Sequence, residues 1–259
     1  LSVGAPPLTK AAWVEGFLIV GGAVAASLGG LLLVRRSVAR ATLEQHHEVV
    51  GFVYAVVGIC YGVLLAFAAV VAWEGYDEAR MVAAAESDAV ADLLRSAEVF
   101  DPSSRDLLNA ALRAYVRSVI ESEWPAMARG EHSATAAAAF DTLWSVYRSV
   151  RPRDAVELAW YTESIRRLDD LGDARRLRLL DAHSDVPGVL WVVLVAGAAL
   201  TIGFSYLFAA REFVVQALMT AALAALIALV LFLVLALENP FSGPLRIPPT
   251  AFVAVVGGQ

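Results

Sequence analysis

Four stretches of this chain stay apolar for longer than a soluble helix requires: residues 16–34, 49–73, 188–210 and 213–237. A bilayer crossing takes roughly 20 mainly apolar residues, so each stretch is predicted to be a membrane span. Only Arg211-Glu212 separates the third from the fourth, which makes the pair an antiparallel helical hairpin. Arg35 to Glu48 joins the first two. Lys10 ahead of the first stretch gives it the look of a signal peptide. Its apolar run exceeds the usual ~7–15-residue signal core, and Arg35-Arg36 follow at once, so it reads as a retained span.

Polar positions return between residues 74 and 187, with apolar residues at helical rather than alternating spacing. Residues 74–99 continue the second span outward as one long helix. Asp101-Pro102-Ser103-Ser104 stops it and caps the next helix. That helix is expected to run to about Glu123 and to end at Trp124-Pro125, because proline disfavours helix in the residue before it. An alanine-rich helix follows from Ser133 to Val150, ended by Arg151-Pro152. Another runs from Arg153 to about His183, with Gly172 as the place where it could break. After Glu238, four prolines (Pro240, Pro244, Pro248, Pro249) rule out a span. Asn239-Pro240 and Ser242-Gly243 read as consecutive turns, leaving either an ordered cap folded back on the domain or pore mouth, or a loose tail. The predicted fold class is therefore all-α: an integral membrane protein with four transmembrane helices and a helical domain inserted between spans two and three. Its divisions are 12–73, 74–187, 188–237 and a proline-rich tail, 238–259.

Composition agrees with this pattern. Of 259 residues, 59% are hydrophobic and 18% charged, against ~45–50% and ~25% in soluble domains. A net charge of −6 argues against a nucleic-acid binder, since phosphate binding needs a basic patch and no basic run with interleaved aromatics is present. No Asp, Glu, Lys or Arg lies in mid-span, which argues against a proton-driven transporter. The polar residues of the last two spans are Thr201, Ser205, Tyr206, Gln216 and Thr220. Cys60 is the only cysteine and makes neither an internal disulfide nor a cysteine metal site. No GxSxG, HExxH, phosphate loop or CxxC is present, so neither an enzyme nor a cofactor is expected.

Four spans place both ends and the domain on one side of the membrane. Lys10, Arg80, Arg166, Arg167, Arg175, Arg176, Arg178 and Arg246 fall on that side, and Arg35, Arg36, Arg40 and Arg211 on the other. The balance of basic residues favours a cytoplasmic domain.

The second span, GFVYAVVGICYGVLLAF from Gly51 to Phe67, holds three glycines. At about 100° per residue, Gly51, Ala55, Gly58, Gly62 and Ala69 share a narrow stripe, and Gly58-Gly62 form a GxxxG pair for close helix contact. Tyr54 and Tyr61 flank it. Tyr61 lies too deep to reach headgroups and needs a polar partner on another helix, or water. Beyond the spans, Asp173, Arg175, Arg176 and Arg178 read as membrane-surface ion pairs or as vestibule charge, with Glu74 a candidate partner. Glu121, Glu123 and Glu131 could hold a cation, although their spacing matches no calcium loop. His46 and His47, with Glu44 and Glu48, could bind a metal or sense protons, but read better as an exposed loop.

Gly51-Phe-Val-Tyr-Ala, Tyr61-Gly-Val-Leu-Leu-Ala-Phe and Trp73-Glu74 resemble the second span of bacterial bestrophin-like membrane proteins. Glu123-Trp-Pro-Ala-Met127, Asp173-Ala-Arg-Arg-Leu-Arg178, Leu190-Trp191 and Pro240-Phe-Ser-Gly243 extend the resemblance in order over about residues 45–255. It implies a bacterial inner-membrane protein related to bestrophin anion channels, which are pentamers with a pore lined by the second span. The apolar Phe-rich neck and acidic calcium clasp of bestrophins are not recognisable. The expected function is an ion channel, with Tyr54, Gly58, Tyr61, Leu65 and Ala69 at or beside the pore, and Leu65 or an apolar neighbour as a dewetting constriction. Gly51, Gly58 and Gly62 would make helix contacts. Glu74, Arg175, Arg176 and Arg178 would supply vestibule or interface charge. Partners are the lipid bilayer, inorganic ions and further copies of the chain, with a pentamer the first count to test. The acidic domain leans the expectation towards cations. A membrane-anchored sensor or scaffold is the alternative.

Overall fold

The computed structural model describes residues 10–37, 47–182, 187–207 and 212–257, and the regular structure among them is helical. In chain order these are α1 (Lys10–Ser37), α2 (His47–Ala97), α3 (Pro102–Ser118), a π-helical turn (Val119–Glu123), α4 (Trp124–Met127), α5 (Ala134–Ser149), α6 (Ala155–Asp181), α7 (Gly188–Ser205), α8 (Phe213–Glu238) and α9 (Thr250–Gly257). Arg40, Glu44, His46, His183 and Arg211 lie outside the described residues, and the reading of a far-side histidine site lies there with them. Contacts divide the chain into two units. One comprises residues 7–74 and 185–238, the other residues 75–184 and 239–259. The long helix α2 contributes to both.

The first unit holds the four helices long and apolar enough to cross a membrane. α1 and α8 run antiparallel: Gly16 sits under Phe232, whose ring would be 3.1 Å from an added Cβ, and Arg35 reaches Gln216 at the other end. α7 and α8 form the expected hairpin, with Trp191 Nε1 donating to the Glu238 carboxylate at 2.9 Å. In hydrocarbon every polar group needs a partner. The Ser27, Thr201 and Ser205 hydroxyls donate to carbonyls one turn back, at 2.8, 2.8 and 2.6 Å. Tyr206 donates to Ser27 O at 2.8 Å and lies on Gly30, where a Cβ would be only 2.6 Å from the hydroxyl oxygen. Trp13, Trp73 and Trp191 stand at the same membrane face by topology, an aromatic belt of the kind that marks the headgroup level.

The second unit forms around the continuation of α2. Ala79, Ala83, Glu86, Val90, Leu93 and Ala97 recur at spacings of three and four, and all are buried. The expected caps are present: Asp101 accepts from the amides of Ser103 and Ser104, and Ser133 accepts from Ala136 N. α6 begins at a capping aspartate, Asp154, which accepts from Glu157 N at 2.8 Å. One expectation is corrected, and two points left open are decided. The helix after Asp101 does not end at Trp124-Pro125. The π turn widens the backbone ahead of Pro125, which lacks an amide, and Trp124 stays helical at φ −59°, ψ −47°. The stop comes at Gly130, which takes φ 68° while Glu131 N bonds to Ala126 O and Gly130 N to Met127 O. α6 runs unbroken through Gly172, because the Phe140 ring lies against that glycine, 3.1 Å from an added Cβ. The tail is the ordered cap of the two alternatives. Phe241, Ile247 and Phe252 are buried, and Trp124 donates its Nε1 to Ile247 O at 2.9 Å. Phe241 and Phe252 meet the Trp124 ring edge-on at 5.5 and 5.6 Å.

Candidate functional site

The first half of α2 has two sides with different surroundings. Tyr61, Leu65, Ala68 and Ala72 are buried on one side by the chain's own helices. The Tyr61 hydroxyl donates to Leu194 O of α7 at 2.9 Å. Its ring occupies the space a side chain at Gly197 would take, 2.5 Å from an added Cβ. The polar partner that Tyr61 needs therefore exists, and it belongs to the same chain. Tyr61, expected at or beside the pore, packs on α7, and Leu65 is buried on the same side of α2. The Tyr61 ring fits there because Gly197 has no side chain; Gly58 and Gly62 play no part in that contact.

Gly58 and Gly62 have open space around them: an added Cβ on either meets nothing within 4 Å. Gly51, Tyr54 and Ala69 are half-buried. Among the described residues, nothing lies where a side chain on Gly58 or Gly62 would begin. On the side of α2 away from the Tyr61 contact, roughly 160–240° round from Tyr61, stand Ile59, Val63 and Phe67, exposed by 68%, 50% and 66%. Their i, i+4, i+8 spacing makes one continuous apolar ridge.

In the second unit the geometry brings together charges the sequence left apart. Arg178, fully enclosed on α6, donates through Nε to Glu86 Oε2 at 2.6 Å and through Nη2 to Glu86 Oε1 at 3.0 Å and Glu123 Oε2 at 2.5 Å. Glu123 also accepts from Arg175 Nη2 at 2.5 Å. Tyr115 donates its hydroxyl to Glu86 at 2.6 Å, and Met127 Sδ accepts from Arg178 Nη1 at 2.7 Å. The Arg178 guanidinium lies 5.0 Å from the Trp124 ring centroid and 6.0 Å from that of Phe252, while Arg175 lies 5.4 Å from Phe140. Burial alone would lower the Arg178 pKa, but the Glu86 and Glu123 carboxylates outweigh it and hold it above its ordinary value, so the charge is permanent. Burial, and then the Glu86 charge, push the Tyr115 phenol well up and keep it neutral. The cluster ties α2, α3, the π turn, α4, α6 and the tail into one core.

These positions revise the sequence reading of the charges. Arg178 is a core cation and Arg175 is largely enclosed, so neither offers free vestibule charge. Arg176 is exposed and paired with Asp173 at 2.5 Å, and Glu74 is exposed. The Glu121, Glu123 and Glu131 cation site is not assembled. Glu123 serves two arginines, Glu131 pairs with Arg129 at 2.9 Å, and no metal-ligating cluster exists among the described residues. Glu86 and Tyr115 were missed. Their signal was register: Glu86 falls in the buried three-four stripe of α2, as Arg178 does after Leu168 and Leu171 on α6.

Comparison with known proteins bears on both units. The family model for the Bestrophin-like domain matches residues 21–252. Among solved structures, a bacterial bestrophin homolog from Klebsiella pneumoniae carrying an isoleucine-to-threonine mutation is similar at TM-score 0.67 and 14% identity, over 93% of this chain and 97% of its own. A leucine-to-threonine mutant of the same homolog gives 0.65 and 15%, over 95% and 100%. A membrane protein described only by a proline-to-alanine substitution gives 0.66 and 15%, over 95% and 99%. The curated proteins give no match. With four apolar helices, a helical insert between the second and third in sequence, and a family match running from within α1 to α9, this integral membrane protein belongs to the bestrophin-like family.

Proposed function

We propose that this chain is one subunit of a homo-oligomeric ion channel whose conduction path runs along α2. Family membership supports the class. The two-sidedness of α2 carries the reading of the path. One side carries the Tyr61 contact to α7, and the opposite side presents Ile59, Val63 and Phe67, which no described residue covers. Repeated around an axis, such a ridge makes an apolar constriction that gates by dewetting. It takes the part first expected of Leu65. Tyr54 and Ala69 stay beside the pore, and Gly51, Gly58 and Gly62 offer the close approach that copies need to pack in hydrocarbon. Five copies is the first stoichiometry to test.

The helical unit lies on the cytoplasmic side of a bacterial inner membrane in this proposal. Residues 74–187 carry 14 arginines and 21 acids, a balance of −7. Arranged as a ring, that charge enriches cations at the pore mouth, so the permeant ions are inorganic cations. Glu74 and the exposed Arg176–Asp173 pair are the remaining candidates for vestibule charge. Cysteine accessibility tests the path, in a Cys60→Ser background. Ile59→Cys, Val63→Cys and Phe67→Cys channels are blocked by a water-soluble thiol reagent, and Leu65→Cys channels are not. Block at Leu65→Cys alone would move the pore to the other side of α2. A membrane-anchored scaffold, the alternative class, carries no current to block.

A further inference from the structure

Along α2 the buried side keeps one register. Counted from Tyr61 at about 100° per residue, Leu65, Ala72, Ala79, Ala83, Val90 and Ala97 all fall within about 40° of it, and all are buried. Drift therefore does not build up over these turns, and the opposite line can be followed as far. That line carries Phe67, Glu74, Met81 and Asp88, one every seventh residue, about 180–240° from Tyr61. All four are exposed, Phe67 by 66% and Met81 by 58%. The Glu74 and Asp88 carboxylates have no ion-pair or hydrogen-bond partner among the described residues. Asp77, at the edge of this face, differs: Arg80 pairs with it at 3.0 Å. Arg80 is the only basic residue from 67 to 88, and it stands off the line, about 100° from Tyr61.

These acids are not a patch. About 21 Å of helix separates them, with one apolar side chain between them and another before them. The consequence rests on the reading of α2 as the pore helix. Copies of α2 around an axis turn each position into a ring: apolar at Phe67, acidic at Glu74, apolar at Met81, acidic at Asp88. Rings of carboxylates are how cation channels choose their ions. We propose that Glu74 and Asp88 select cations as two separate carboxylate rings, one on each side of a second apolar collar at Met81. Their ligand is a hydrated inorganic cation, because one carboxylate per copy leaves other oxygen ligands to water. The spacing exceeds the Debye length of about 8 Å at physiological salt. Each ring therefore acts on ions at its own level, and acids elsewhere on the helical unit act on them less.

Reversal potentials of the full-length oligomer in planar bilayers, under a potassium chloride gradient, test this. Glu74→Gln and Asp88→Asn are each expected to lower the potassium-to-chloride permeability ratio about tenfold, the low end of what focused charge supplies. The double variant should lower it by the product, since the rings act separately. Asp141→Asn removes an equally exposed acid from α5 and should leave the ratio unchanged. In a Cys60→Ser background, Asp88→Cys should regain the ratio with a sulfonate-bearing thiosulfonate reagent and not with a trimethylammonium one. An unchanged ratio in both single variants overturns the proposal. So does an equal loss from Asp141→Asn, which would assign selectivity to overall charge. A conducting Asp88→Cys oligomer that responds to neither reagent places Asp88 off the path and overturns the two-ring arrangement. A wild type without current overturns the channel reading and this inference with it; a cation current indifferent to Glu74 and Asp88 overturns this inference alone.

Discussion

At the scale of single residues, Arg178 decides how the helical unit holds together. Two carboxylates and a phenol surround it without water access, so its removal strands charge in a low-dielectric core. Arg178→Met is expected to cost about 3–5 kcal/mol, the penalty for breaking a buried ion pair from one side. Adding Glu86→Gln should recover part of that, because Glu123 keeps Arg175 as a partner and Tyr115 can still donate to the amide. Thermal unfolding of the two variants checks the order; a double variant less stable than Arg178→Met would contradict it. The run Asp173-Ala-Arg-Arg-Leu-Arg178 hid this in the sequence, because four charges in six residues read as a surface. Only the register of Arg178 on Leu168 and Leu171 separates it from Arg176. Tyr61 was legible in part: depth in the span demanded a polar partner, but sequence alone could not say that a carbonyl of α7 supplies it.

At the scale of elements, caps and close approaches set where helices stop and touch. The side-chain hydrogen bonds from Ser103 and Ser104 hold the Asp101 carboxyl well below the usual carboxylate range. A depressed folded-state pKa means that the cap contributes its stability above about pH 4, the ordinary Asp range, and loses it as pH falls through the folded value. Hydrogen exchange at the Ser103 and Ser104 amides, corrected for intrinsic rates, should therefore rise on acidification. Asp101→Asn, an equally good cap that does not titrate, should remove that dependence; a persistent one would assign it elsewhere.

Glycines make a second contrast at this scale. Gly197→Leu drives into the Tyr61 ring and should unfold the membrane unit. Gly58→Leu starts into space that no described residue fills and should leave the subunit folded but alter its oligomer, as read by cross-linking or native mass. An unchanged oligomer would remove the GxxxG pair from the contact between copies. Helix positions were readable because period and breakers act locally. The run through Pro125 was not, since a π turn has no residue signature of its own.

At the scale of the whole molecule, the architecture was the most legible part. Four runs of apolar residues and the polar insert between the second and third follow from the solvent each segment needs, and the family match covers them from residue 21 to 252. The place of the tail was less so, because four prolines suit an ordered cap and a loose end equally. Its burial depends on Trp124, about 115–130 residues earlier in the chain, a long-range contact that local pattern does not encode. The candidate pore divided in the same way. The sequence marks a stripe of small residues on α2, but a periodic pattern names faces without naming neighbours. The contact of Tyr61 with α7 and the burial of Leu65 are what move the proposed path to Ile59, Val63 and Phe67.

The proposal that α2 lines a cation-conducting pore is tested most directly by purified protein in planar bilayers under an asymmetric potassium chloride gradient. The expected result is a conductance whose reversal potential lies towards the potassium equilibrium potential and which Phe67→Ala enlarges by widening the apolar ridge. A reversal potential at the chloride value would contradict the cation assignment. Silence across a wide range of pH and calcium, from protein that is folded and oligomeric, would contradict the channel itself.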